Sequence, residues 1–134
     1  KKYDLSIFKN KMSHKDYLTN LMNSKISVGC FGWGEICYRE FEATKMGTAF
    51  VYPNLHYIET WPDIFVEGKT YKSYELDFSN LQESIDFLLD NKSRREEMVY
   101  NSQLILDGVY SDSGLNYIIK FLKNLILSFI FFLL

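Results

Sequence analysis

Ile26-Ser27-Val28-Gly29-Cys30, then Phe31-Gly32-Trp33-Gly34, then Glu35 to Met46 closed by Gly47, then Thr48-Ala49-Phe50-Val51-Tyr52 and Pro53: this stretch decides the fold. The first run is short and β-prone, and the glycines after it mark a turn. From Glu35 to Met46 the apolar residues Ile36, Phe41, Ala43 and Met46 recur at helical spacing, and Gly47 is a natural stop just past the end. Thr48–Tyr52 reads as a second, fully buried strand ended by Pro53. Strand, glycine turn, helix, strand is a βαβ unit. It predicts parallel, neighbouring strands with the Glu35–Met46 helix on one face of the sheet.

Working outward, Ser13 caps a helix that carries Tyr17, Leu18, Leu21 and Met22 on one face, with Asp16 in its first turn. On the other side, Ile64-Phe65-Val66 is expected as a third strand beside Thr48–Tyr52, followed by a turn at Glu67-Gly68-Lys69. Ser79 with Gln82, and Ser93 with Glu96, match the capping-box spacing for two further helices, the second reaching about Val109. A last helix from near Ser113 to about Leu134 is expected to turn Leu115, Ile118, Ile119 and Leu122 toward the domain. The predicted class is α/β: a Rossmann-like parallel sheet flanked by helices over residues 1–124, with an apolar helical tail over 125–134.

The 134 residues allow one domain of ordinary size, and a 47% hydrophobic content is enough for a core. A net charge of −2 leaves no basic footprint, so nucleic acid is not an expected partner. Cys30 and Cys37 are the two cysteines, too few and too far from histidine for a disulfide scaffold or a zinc ribbon. Lys1-Lys2-Tyr3-Asp4 shows neither an initiator Met nor an apolar signal segment, which reads as a fragment or a processed end. Residues 125–134 are nearly all apolar but too short a run to span a membrane alone.

Candidate chemistry gathers after the first strand. Gly32 and Gly34 permit close approach of a ligand to the backbone, and the amides near Ile36 and Cys37 can hold an anion such as a pyrophosphate. Such a crevice at the carboxyl ends of parallel strands is where open α/β sheets bind ligands. Glu42 could accept both hydroxyls of a ribose. Arg39 could pair with Glu35 or Glu42 at helical spacing, or touch a phosphate. The spacing is not a dinucleotide fingerprint, because Cys37 stands where a third glycine is needed. The plainer reading of Glu35, Glu40 and Glu42 is a solvated helix face. His14 and His56 stand alone in sequence, and Trp33 and Trp61 read as packing residues.

Phe31-Gly32-Trp33-Gly34-Glu35 through Arg39-Glu40-Phe41-Glu42-Ala43, with Gly47, Phe50-Val51 and Glu59-Thr60-Trp61-Pro62, resembles the C-terminal half of GT-B glycosyltransferases of the group 1 type. The resemblance implies that Glu42 grips the ribose of a nucleotide-sugar donor and that Glu35, the catalytic candidate, lies near the donor sugar. Six residues separate Glu35 from Glu42, where the family has seven. It implies sugar transfer to a hydroxyl acceptor, with no cofactor and no metal. It also implies a missing partner, because the family's acceptor-binding domain and the opening strands of its donor domain have no counterpart here. That half is expected in another chain or absent, leaving this one inactive alone. The alternative is a non-catalytic interaction module or truncated remnant that pairs through its exposed sheet edge. The expected location is cytoplasmic and peripheral to a membrane, through contact of the apolar tail with its surface.

Overall fold

The computed structural model describes residues 3–4 and 11–133, with side chains through residue 127. The expected opening at Lys1 and Lys2 and the helix end at Leu134 lie outside the described residues. Helix α1 (His14–Met22) begins as anticipated: Ser13 is extended, and its hydroxyl accepts the Asp16 amide at 3.1 Å. Strand β1 (Ile26–Val28) leads through the glycine loop to helix α2 (Tyr38–Lys45), and β2 (Ala49–Pro53) follows. β1 and β2 pair in parallel with Ile26 opposite Ala49. The βαβ unit is therefore present, and the protein is α/β, with a small open parallel sheet flanked by helices.

The third strand is not the anticipated one. Ile64–Val66 stays outside the ladder, and β3 is Lys72–Tyr74, parallel to β2 with Val51 opposite Lys72, in the order β1-β2-β3. Thr70 explains the substitution. Its hydroxyl lies 2.7 Å from the Ile64 carbonyl and accepts the Val66 amide at 2.9 Å. The Ile64 carbonyl and the Val66 amide are thereby satisfied within their own turn rather than by a neighbouring strand. Ile64 and Phe65 are still buried, as side chains rather than as ladder residues. The turn at Gly68 is as anticipated, with φ +71°.

Every residue of β2 is buried, as befits the central strand of a parallel sheet covered on both faces. Phe50 and Tyr52 point to one side, where they meet Leu21 of α1, Ala43 of α2, Phe65 and Tyr71. Phe50 stacks on Tyr71 with ring centroids 5.5 Å apart. Ala49 and Val51 point to the other side, against Tyr74, Leu88 of α3 (Leu81–Asp90) and Met98 of α4 (Lys92–Val109). A buried hydroxyl locks each side. Thr48 donates to the Leu21 carbonyl at 2.5 Å, and Ser84 of α3 donates to the Ser73 carbonyl at 2.6 Å.

Neither capping box forms. Phe78 adopts φ +62° and stacks on Tyr74, and the Ser79 amide bonds Asp77. The cap position of α3 therefore falls on Asn80, whose side chain is turned to the Glu75 amide. Asn91 alone separates α3 from α4, so Ser93 lies inside α4. Arg95 secures this corner by donating to the Leu88 carbonyl at 2.5 Å.

The final helix α5 (Asp112–Leu133) exists, but it does not present the anticipated face to the domain. Leu115, Ile119 and Leu122 remain 51%, 49% and 48% exposed. The helix is held closely near its root. There Gly114 is buried so closely against the α4 end that a Cβ would run into the Val109 carbonyl, and Tyr117 stacks on Trp61.

Gly29 is the tightest point of the sheet. A Cβ there would stand 2.5 Å from both Glu40 Oε1 and the Tyr52 ring. Gly29→Ala is expected to destabilise the domain by about 1–3 kcal/mol through overpacking, read as a lower midpoint in urea unfolding.

Candidate functional site

The chain leaves β1 at the carboxyl edge of the sheet, and the loop it forms is held from inside by its carbonyl groups. Tyr74, at the end of β3, donates its hydroxyl to the Gly29 carbonyl at 2.8 Å. Tyr52, near the end of β2, donates to the Glu35 carbonyl at 3.0 Å, with the Cys30 carbonyl at 3.5 Å. Arg39, from the first turn of α2, donates from Nη2 to the Cys30 carbonyl at 2.9 Å. At the crest the Gly32 amide closes onto the Gly34 carbonyl. Among the described residues, the amides from Trp33 to Ile36 donate to no protein acceptor. Trp33 is fully exposed, and a Cβ on Gly34 would meet open space.

This loop also corrects the start of the helix. Glu35 is outside α2, because its carbonyl is taken by Tyr52 and the chain remains extended at Cys37 (φ −124°, ψ 166°). Cys37 is the N-cap and makes no side-chain capping bond. Helix α2 therefore opens at the carboxyl edge of β1 with the positive end of its dipole toward the glycine loop.

Beneath that opening lies Glu40, only 2% exposed, with Oε2 buried and unpartnered. Burial pushes its carboxyl above the ordinary range, against the opposing pull of the Glu40 and Cys37 amides and the Arg39 charge. Sequence reasoning put Glu40 on a solvated face. The signal that could have found it is position: the third helical residue is where an acid reaches back toward the cap amide.

Gly32, Gly34, Glu35, Ile36, Cys37 and Arg39 thus come together around one loop and one helix start. Arg39 is turned to the Cys30 carbonyl, not to the carboxylate of Glu35 or Glu42. Glu42 faces elsewhere than the crevice anticipated for it. Its Oε1 lies 2.9 Å from His14 Nε2 of α1. Burial, with the Glu42 carboxylate beside it, pushes the Tyr17 phenol up to about 12. Residues 41 and 43 do face inward as anticipated, Ala43 fully buried and Phe41 edge-on to Phe65.

A surface hollow of about 270 Å³ lies at the opposite, amino edge of the sheet, by Lys25, Gly47 and Arg95. Neither of the two buried side-chain atoms without a partner among the described residues, Glu40 Oε2 and Thr44 Oγ1, belongs to a residue that lines it. Among the described residues no three His, Cys, Asp or Glu gather as metal ligands, and no helix is long and apolar enough to cross a membrane.

Comparison with protein-family models, with curated proteins and with solved structures finds no match to this chain.

Glu40 has a direct consequence for stability. A carboxyl whose folded pKa is raised favours the folded state below the ordinary carboxylate range, and that contribution is lost as pH rises through the raised value. Glu40→Gln is expected to melt higher than the parent at neutral pH and to converge with it in acid. Thermal unfolding of both proteins from acid to neutral pH checks this.

Proposed function

We propose that this chain is the donor-nucleotide half of a GT-B-type glycosyltransferase, acting with an acceptor-binding domain carried elsewhere. The observation that supports this reading is the start of α2 at the carboxyl edge of a parallel strand, where Cys37 makes no capping bond and, among the described residues, the Trp33–Ile36 amides of the adjoining loop donate to no protein acceptor. Those groups suit a diphosphate. The resemblance of the Gly32–Ala43 stretch to group 1 enzymes supplies the rest of the reading.

In the transfer, the bond between the anomeric carbon and the diphosphate oxygen breaks, and a new bond forms to an acceptor hydroxyl, which gives up its proton to the departing diphosphate. Negative charge grows on the leaving diphosphate. The helix start and loop amides stabilise it electrostatically, with Arg39 one turn away. Burial raises the pKa of the Glu40 carboxyl and so disfavours a charge there. Glu35, exposed at the loop, takes the position next to the donor sugar. The resemblance gives Glu42 the ribose, a role for which it would have to leave His14 and turn toward the crevice.

Gly34 separates binding from folding, because its substitution fills only open space. Gly34→Val is expected to leave the unfolding midpoint within about 0.5 kcal/mol of the parent. The same change should weaken nucleoside diphosphate binding by about tenfold or more, as seen by calorimetric titration. Glu42→Ala should weaken it similarly, and the nucleoside lacking phosphates should bind poorly to all three proteins. A parent chain that is folded and indifferent to nucleoside diphosphates would overturn the reading.

A further inference from the structure

Helix α5 is the element that the core does not explain. Leu115, Ile119, Leu122, Leu125 and Ile126 lie on one side of it at helical spacing, and all are about half exposed or more. Asn116, Lys120, Lys123 and Asn124 lie on the other side. Between residues 113 and 127 the charged residues are Lys120 and Lys123, both exposed, with no acid to neutralise them. From Leu125 onward the sequence is apolar but for Ser128. The root of the helix is fixed by the close approach of Gly114 to α4 and by the Tyr117 ring stacked on Trp61, centroids 5.0 Å apart. A broad apolar arc is thus held at a set angle to the domain and left uncovered.

We propose that α5 lies in the headgroup layer of an anionic bilayer, its Leu115–Ile126 arc toward the acyl chains and Lys120 and Lys123 among the lipid phosphates. An interfacial helix combines an apolar arc with lysines on its polar side, whose stems reach back to the charged layer. Trp61 and Tyr117, both half exposed, are ring types that favour the same boundary. A second copy of this chain suits the face less well. Side-by-side pairing of two such helices would bring lysines together with no acid to oppose them, and the arc is wider than the narrow seam of a helical pair.

The proposal does not rest on nucleotide binding. The full chain is to be sedimented with phosphatidylcholine vesicles and with vesicles containing equal parts phosphatidylglycerol, at low and high salt. The chain should pellet with the anionic vesicles at low salt and be released at high salt. Lys120→Gln with Lys123→Gln should lower that partition by about tenfold or more. Leu122→Glu with Ile126→Glu should abolish it while leaving the circular dichroism melt unchanged, since both residues are already exposed. No pelleting with either vesicle overturns the proposal, as does a lysine variant that pellets like the parent. A dimer in the ultracentrifuge that the Leu122→Glu variant dissolves would assign the face to a second copy, and so would overturn it too.

Discussion

The contact of Glu40 with the bare α-carbon of Gly29 is the constraint around which the carboxyl edge of the sheet is arranged. With no side chain at position 29, the first turn of α2 can settle directly on the end of β1, and Tyr52 can slide its ring alongside. The Tyr52 and Tyr74 hydroxyls then reach loop carbonyls on either side of that point. A helix placed one side-chain diameter further away would draw the Glu35 carbonyl away from the Tyr52 hydroxyl. The loop between β1 and α2 would then lose that hold from inside. Burial of one carboxyl is the cost of this closeness, and its raised pKa is how that cost shows.

The βαβ unit was legible because its signals are local: β-prone runs, glycine turns, helical spacing and a stop at Gly47. The third strand was not, because Ile64-Phe65-Val66 has the better composition and Lys72-Ser73-Tyr74 the better partners. What excludes the first is a single threonine hydroxyl six residues on, and what admits the second is register against Val51–Pro53 and the Ser84 hydroxyl on Ser73. Composition carries no information about either. Much the same holds for the start of α2. Helical spacing extends back to Ile36, but a tyrosine from the next strand takes the Glu35 carbonyl and delays the helix.

Among the acids of the candidate site, periodicity could not separate Glu40 from Glu42, since both sit on the same short helix. Tertiary neighbours separate them. Glu40 turns under the glycine loop, whereas Glu42 meets α1 through His14 and Tyr17. The segment before β1 is therefore part of the surroundings of the site and not merely a lead-in to it. Helix α1 also contributes Leu21 to the packing on Phe50 and Tyr52, so its position is set by the core rather than by the contact of His14 with Glu42.

The bond from Tyr74 to Gly29 joins residues 45 apart in the chain, and those from Tyr52 to Glu35 and Cys30 join residues 17 and 22 apart. Closing such loops costs entropy before any contact rewards it, so they form late in folding. As the chain emerges in order from amino to carboxyl end, the loop after β1 exists long before Tyr74 does. Its shape is then unguided until β3 has docked beside β2. The crevice is thus among the last features of the domain to be set. A nascent or partly unfolded chain would carry the glycine loop in sequence without its form, and so would be blind to any ligand that the finished edge receives.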